Sequence, residues 1–261
     1  MAIYYAAVIG LLALPLCACL DVDEQAQPGR VELRVALESD NADFVTDDGF
    51  RIRYDELLIS AGNARLDRGS YDGSCKAYTG TAYLRVVDLL ATSARLATLF
   101  ALGDCSVRVQ LMGPSDDYVV TDVDDSILAS MQARASDGFV QDESVALRVA
   151  GHAERAGARY DFDWSFRQAF DIDPCVVVPF DPEQPSVLEL RVRAARLFLD
   201  AATGQLSFAP FAEADLDGDH TITLDELASV PLGRRLYFEN VPQLLWLGDE
   251  PPCFVGRVRS E

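Results

Sequence analysis

The amino-acid sequence predicts a mainly β protein, an antiparallel β-sandwich with short helical insertions and an acidic loop near its C-terminus. Three observations indicate this fold class. Segments in which apolar and polar residues alternate with a period of two recur through most of the chain, as they do in half-buried antiparallel strands. Turn-forming residues separate these segments. Helical spacing of apolar residues is confined to a few short stretches.

The N-terminus begins with twenty residues that carry no charged side chain. A membrane-spanning helix needs about 20 apolar residues, so this run is more typical of a signal peptide. Within it, Leu16-Cys17-Ala18-Cys19 resembles the lipobox of bacterial lipoproteins. The resemblance implies a signal peptide over residues 1–18, an acylated Cys19 and a lipidated tether over residues 19–29.

Such a protein would be exported and held in the cell envelope by its lipid, at the outer membrane or the periplasmic face. No Lys or Arg precedes the apolar run, unlike in most signal peptides. The alternatives are an ordinary secretory signal and a buried N-terminal helix.

Residues 30–200 are predicted to form the sandwich domain. Its clearest alternating segments are Val31–Leu37, Phe50–Tyr54, Val107–Leu111, Tyr160–Phe166 and Leu188–Val192. In the fourth of these, four aromatic residues point one way, and Asp161 and Asp163 point the other. Ser144–His152 and Ala158–Phe166 are predicted to pair as a hairpin through the loop Ala153–Gly157.

Three short helices are predicted. Asp124–Ala135 begins with acidic residues that can cap a helix and spaces its apolar residues on one face. Leu89–Leu102 is a second helical stretch, ending before Gly103. Phe238–Leu247 is a third, limited by Pro242. Residues 201–261 are predicted to form a C-terminal segment that packs on the sandwich.

The charge of the chain excludes one class of function. It carries 42 acidic and 22 basic residues, a net charge of −20, and Lys76 is the only lysine. Such a surface repels phosphate backbones and anionic headgroups, so nucleic-acid binding is not expected. An acidic surface favours solubility and attracts divalent cations.

Four cysteines remain after the lipobox, and an even number in an exported chain predicts two disulfides. Three pairings of Cys75, Cys105, Cys175 and Cys253 are possible. Their separation into an early and a late pair favours Cys75–Cys105 and Cys175–Cys253. No Cys-x-x-Cys spacing is present, which argues against a thiolate zinc or redox site.

The acidic loop has the sequence Asp-Leu-Asp-Gly-Asp-His-Thr-Ile-Thr-Leu-Asp-Glu over residues 215–226. It resembles the twelve-residue EF-hand loop, which binds Ca²⁺ through oxygen ligands. The resemblance implies ligands at positions 1, 3, 5, 7, 9 and 12, with position 7 using its backbone carbonyl and position 9 its hydroxyl or a water. These residues are Asp215, Asp217, Asp219, Thr221, Thr223 and Glu226. Ile222, at position 8, is expected to turn into the core.

Two departures from the EF-hand pattern affect this prediction. Position 6 normally holds Gly because the turn needs a positive φ, whereas here it is His220. Pro210 and Pro231 limit the flanking helices to one or two turns, and no second loop is present to form a pair. These features favour a fixed structural site over a sensor. The affinity is expected in the extracellular range, about 10⁻⁴–10⁻³ M.

A second resemblance concerns the order and spacing of the apolar segments in the N-terminal half. Arg53–Leu66, Val87-Asp88-Leu89 and the strand Val107–Leu111 are similar in layout to periplasmic β-sandwich lipoproteins, among them the methanobactin-associated copper-binding proteins. The resemblance implies an immunoglobulin- or transthyretin-like sandwich and, as one alternative, a copper-handling partner protein. Copper requires imidazole or thioether ligands, and the chain after the signal offers only His152, His220, Met112 and Met131.

No catalytic motif is present, so the sequence does not predict an enzyme. It contains no Gly-x-Ser-x-Gly, phosphate loop, His-Glu-x-x-His or dinucleotide-binding glycine pattern. A carbohydrate-active enzyme that uses two facing carboxylates is the other alternative. The preferred prediction is a calcium-binding module of the cell envelope with a binding or structural role, its protein or glycan partner unidentified.

Overall fold

The computed structural model describes residues 27–67, 75–79, 83–91, 93–115, 119–121, 123–173, 177–247 and 254–257. The predicted signal peptide, Cys19 and most of the tether lie outside the described residues. Cys175 and Cys253 lie outside them as well, so their predicted disulfide stays a prediction. Among the described residues, no helix is both long enough and apolar enough to cross a bilayer.

The prediction of a mainly β protein is confirmed. The first nine strands are β1 Gly29–Leu37, β2 Asp43–Val45, β3 Arg51–Asp67, β4 Lys76–Ala77, β5 Leu84–Asp88, β6 Ala94–Leu111, β7 Val119–Thr121, β8 Leu147–Arg155 and β9 Ala158–Phe166. The others are β10 Phe170–Asp173, β11 Val177–Phe180, β12 Ser186–Val192, β13 Leu199–Asp200, β14 Gln205–Leu206, β15 Thr221–Ile222, β16 Leu245–Leu247 and β17 Phe254–Arg257.

The helices that the structure describes are short, and all but one of them lie in the C-terminal third of the chain. The α-helices are α1 Asp125–Gln132, α2 Ala209–Ala212, α3 Leu224–Ala228 and α4 Pro231–Arg235. The other helical segments among the described residues are the 3₁₀ segments Ala194–Phe198 and Val241–Gln243 and the π segment Leu236–Asn240. The predicted helix over 124–135 is therefore confirmed as α1.

One large curled sheet contains most of the strands, in the order β15-β9-β8-β3-β6-β1-β12-β16. Most neighbours pair antiparallel, but β1 with β12, β5 with β7 and β15 with β9 pair parallel. The sheet is therefore mixed and not wholly antiparallel. β6 is 18 residues long: residues 94–101 pair with β1, and residues 103–111 pair with β3, β10 and β11.

The prediction of a helix over Leu89–Leu102 is wrong, because residues 94–102 belong to β6. Leu and Ala favour helices locally, but hydrogen bonds to β1 and β4 hold this stretch extended. Gly103, at φ +77°, lies inside the strand and does not end a helix. Tertiary pairing thus overrides local propensity here.

The predicted helix over Phe238–Leu247 is correct only for its first part. The helical segments end at Gln243, and Leu245–Leu247 forms β16, which pairs with β12.

The predicted hairpin is confirmed, but its loop is shorter than expected. β8 and β9 are joined by Ala156 and Gly157 alone, at φ +52° and +87°. Two consecutive positive φ values are what a tight hairpin turn requires.

A single main core joins the sheet to the C-terminal helical segment. The predicted inward face of β9 is confirmed, since Phe162, Trp164 and Phe166 are buried and Tyr160 packs against the cluster. Phe198, Phe208 and Phe211 come from the C-terminal third and pack on those rings. Ile222 and Leu227 are buried in the same core. A smaller apolar cluster, containing Met131, lies beneath α1.

Cys75 and Cys105 form a disulfide with an S–S distance of 2.07 Å, as the favoured pairing predicted.

Candidate metal centre

The segment that leads into the acidic loop is a single helical turn, α2. Pro210 stands in its first turn, where the missing N–H has no cost. Phe211 is 2% exposed and stacks on Trp164 with ring centroids 5.5 Å apart. Because this ring is locked in the core, the chain emerges at a defined place four residues before Asp215.

The first half of the loop is curled by bonds from its own backbone to its aspartates. Asp215 accepts from the N–H groups of Gly218 (3.0 Å) and His220 (3.2 Å). Asp217 Oδ1 accepts from Asp219 N–H at 3.1 Å, and Asp219 Oδ1 accepts from Thr221 N–H at 2.6 Å. One carboxylate oxygen from each of the three aspartates lies within 4.8 Å of the other two.

This cluster places three acidic side chains close together. The side chain of Asp215 is 6% exposed, whereas Asp217 and Asp219 are exposed. The imidazole Nδ1 of His220 lies 3.8 Å from Asp215 Oδ2. Like charges at this spacing repel each other, so the arrangement can hold a metal ion.

The unusual residue at loop position 6 adopts the conformation that normally requires glycine. His220 has φ +64°, in the left-handed region. Its ring lies edge-on to Tyr160, with centroids 5.0 Å apart. Gly218, at φ +74°, supplies the other positive φ of the loop.

The middle of the loop is fastened to the main sheet as its edge strand. Thr221 and Ile222 form β15 and pair parallel with Asp161 and Phe162 of β9. Ile222 is completely buried, as predicted. Trp164 Nε1 donates to the carbonyl oxygen of Ile222 at 2.8 Å. Sequence analysis missed this bond, because the alternation in β9 predicts that Trp164 is buried but not which acceptor it meets.

The end of the loop folds back onto its beginning. Thr223 is the N-cap of α3 and forms a capping box with Glu226. Glu226 Oε2 accepts from the N–H and the hydroxyl of Thr223, both at 2.8 Å. Glu226 Oε1 accepts from Leu216 N–H at 3.1 Å. Burial raises the pKa of Glu226, but hydrogen bonds from Thr223, Leu216 and Asp217 outweigh it and hold the pKa below its usual value.

The other candidate metal ligands lie in different surroundings. His152 is on β8, with its side chain 11% exposed, and its Nδ1 lies 3.1 Å from Asp55 Oδ2. It lines a shallow polar groove of about 290 Å³ together with Glu154 and three arginines. Met131 is completely buried in the apolar cluster beneath α1.

Asp161 and Asp163, the acidic pair on the exposed face of β9, each meet an arginine. Arg159 donates to Asp161 at 2.7 Å, and Arg148 donates to Asp163 at 3.0 Å. Both pairs are solvent-accessible, so each contributes little to stability.

The structure thus brings together the carboxylates predicted at loop positions 1, 3 and 5 and ties the glutamate of position 12 to the first turn of the same loop. Thr221 anchors the loop to β9, and Thr223 caps α3. An all-oxygen cluster of this kind is suited to a hard cation. No family model, no curated protein and no solved structure matches this chain.

Proposed function

We propose that this chain is an exported, lipid-anchored protein of the cell envelope that binds one Ca²⁺ in the loop 215–226 and serves as a binding or structural module. One observation carries the calcium proposal: oxygens of Asp215, Asp217 and Asp219 converge within 4.8 Å, in the register of a calcium loop. The bond from Leu216 N–H to Glu226 adds a fourth carboxylate to the same turn.

Calcium fits this donor set better than softer metals do. The converging ligands are carboxylate oxygens, which suit hard cations, whereas zinc and copper select imidazole and sulfur. The bonds that curl the loop use Oδ1 of Asp217, Oδ1 of Asp219 and both oxygens of Asp215. The second oxygen of Asp217 and of Asp219 can therefore reach an ion without breaking these bonds. Calcium would also relieve the repulsion among the clustered charges.

A structural role is favoured over a sensor role by the surroundings of the loop. α2 has four residues and α3 has five, too few for two long helices that swing apart. Phe211 before the loop, Ile222 within it and Leu227 after it are all buried in the main core. Calcium would accordingly hold residues 208–232 against the sheet and protect them from local unfolding.

The proposed location rests on the N-terminal lipobox and on the chemistry of the folded part. The Cys75–Cys105 disulfide is typical of an oxidising compartment outside the cytosol. The net charge of −20 suits a soluble domain held at a membrane only through its lipid. Labelled palmitate should enter the protein in cells and be lost in Cys19→Ser, with unchanged labelling counting against the lipid anchor.

The finer fold assignment, an immunoglobulin- or transthyretin-like sandwich, is part of this proposal. It is supported by β6, which pairs with β1 through one half and with β3, β10 and β11 through the other. Gly103, at φ +77°, lies where these halves meet. A strand that changes partners at a bend is a common way to place two layers over one core.

Direct titration tests the calcium proposal. Isothermal titration of the purified chain with CaCl₂ should give one site with a dissociation constant of about 10⁻⁴–10⁻³ M. The double variant Asp215→Ala/Glu226→Ala should not bind. Glu213→Ala/Asp225→Ala is the matched control, because it removes the same charge from two exposed residues of the same segment. Absence of binding by the wild type at millimolar calcium would refute the proposal.

A further inference from the structure

The turn between β2 and β3, residues 46–50, is built to present one carboxylate. Thr46 N–H donates to Phe50 carbonyl oxygen at 2.8 Å, and Phe50 N–H donates to Thr46 Oγ1 at 3.0 Å. Gly49, at φ +86°, supplies the reversal. The Thr46 hydroxyl also donates to Asp48 Oδ1. The Asp48 side chain is thereby held in one orientation.

The other oxygen of Asp48 holds the segment that leads to the acidic loop. Asp48 Oδ2 accepts from Ser207 Oγ at 2.9 Å, Phe208 N–H at 2.9 Å and Ala209 N–H at 2.7 Å. α2 begins at Ala209, and its own N-cap residue, Phe208, makes no side-chain cap. The Asp48 carboxylate, about 160 residues earlier in the chain, therefore caps the N-terminus of α2 in place of the N-cap side chain. Bonds to an ionised acceptor are the stronger kind.

Further contacts join the same turn to the same segment. Asp47 N–H donates to Leu206 carbonyl oxygen at 2.8 Å, and Leu206 N–H donates to Asp47 Oδ2 at 2.7 Å. The Phe50 ring packs on Phe208 at 5.1 Å and on Tyr160 at 6.2 Å. Tyr160 in turn contacts His220 at loop position 6. The turn thus reaches the loop both through the chain and through packing.

We infer that Asp48 is a positioning residue for the metal loop, which it orients through α2 without contacting the ion. The inference rests on the proposed calcium site. Asp215 must stand at a fixed place relative to Glu226, and the Glu226 end of the loop is fixed by β9 and by α3. Asp48, through residues 207–209, fixes the Asp215 end together with the buried ring of Phe211. Where only a fraction of molecules has both ends in place, apparent affinity falls by that fraction.

Three variants separate positioning from simple stabilisation. Asp48→Ala removes every acceptor and should weaken calcium binding about tenfold, or ~1.4 kcal/mol. Asp48→Asn keeps one acceptor oxygen and should recover most of the affinity, since Asn caps helices nearly as well as Asp. Asp104→Ala is the control for the lost charge, because Asp104 is exposed and lies outside the turn and the loop. The calcium affinity of Asp104→Ala should stay within about twofold of that of the wild type.

The measurement is the calcium dissociation constant at a temperature where near-ultraviolet circular dichroism shows every variant folded. If Asp48→Ala proves too unstable, Ser207→Ala removes one of the three donors and should weaken binding two- to threefold by the same reasoning, as about a third of the effect. If Asp48→Ala had a lower melting temperature but an unchanged calcium dissociation constant, this inference would be overturned and the proposed function would not. Absence of calcium binding by the wild-type chain would overturn both the inference and the proposed function.

Discussion

Calcium should raise the melting temperature of this protein, and the increase should depend on the carboxylates at both ends of the loop. The perturbation is Asp215→Ala combined with Glu226→Ala. Asp215 holds the first turn through Gly218 and His220, and Glu226 closes the loop onto Leu216. The double variant is expected to melt lower even without calcium, so the informative quantity is the increase that calcium produces.

The magnitude follows from linkage between binding and folding. A ligand that binds only the folded state stabilises it by RT ln(1 + [L]/Kd). With a dissociation constant of about 10⁻⁴–10⁻³ M and about 10 mM calcium, the gain is ~1.4–2.7 kcal/mol. For a domain of this size, 1 kcal/mol shifts the melting temperature by about 2–4 °C. The expected increase is therefore about 3–11 °C.

Differential scanning fluorimetry on intrinsic tryptophan is a suitable assay, because the indole N–H of Trp164 bonds directly to the loop carbonyl of Ile222. A Trp246→Phe background leaves Trp164 as the only tryptophan in the chain. Each protein is melted in chelator and in calcium, with magnesium as an ionic-strength control. Glu213→Ala/Asp225→Ala should keep the full increase.

Two results would refute the reasoning. The first is a melting temperature for the wild type that differs by less than about 1 °C between chelator and calcium, which is below the smallest expected increase. The second is an equal increase in the double variant and the wild type, which would place the stabilising ion elsewhere on the acidic surface.

Three further predictions concern single features of the fold. The variant His220→Gly should be more stable than His220→Ala by about 1 kcal/mol in chelator, because φ +64° strains any residue with a Cβ. Urea denaturation measures this difference, and a more stable His220→Ala would contradict the prediction. Burial raises the pKa of Asp48, but hydrogen bonds from Thr46 and from residues 207–209 outweigh it and leave the pKa below its usual value. The stabilisation by ionised Asp48 is therefore present above the unfolded-state pKa and lost as pH falls through the folded-state pKa. Lowering the pH from ~5 to ~3 should reduce the free energy of unfolding, measured by urea denaturation, more in the wild type than in Asp48→Asn. Equal losses in the two proteins would rule this out. Replacing both Cys75 and Cys105 by Ser should cost about 3–4 kcal/mol, since the bond closes a loop with a sequence separation of 30; a loss below 1 kcal/mol in chemical denaturation would count against it.

The strands that face water on one side could be predicted from the sequence because their signal is local. The period of two in Val31–Leu37 and in Tyr160–Phe166 states which residues turn inward, and the structure buries the predicted face. The acidic loop is local in the same sense. Its carboxylates lie within twelve consecutive residues, so turns among neighbours are enough to bring Asp215, Asp217 and Asp219 together.

Local signals failed where distant segments decide the conformation. Leu89–Leu102 contains good helix formers, yet most of it is strand, because hydrogen bonds from β1 and β4 are gained only when it is extended. The parallel pairing of β1 with β12 is equally invisible in the chain. Alternation shows which face of a strand is buried but not which strand lies beside it.

The sequence by itself determined that the chain is mainly β, that α1 and the hairpin of β8 and β9 form, and that an acidic loop converges on one point. Each of these depends on residues only a few positions apart. Only the tertiary structure decided the mixed order of the sheet, the bond from Trp164 to the loop and the capping of α2 by Asp48. Those contacts join residues about 60 to 160 positions apart, and their partners are set by how the whole core packs rather than by any local period.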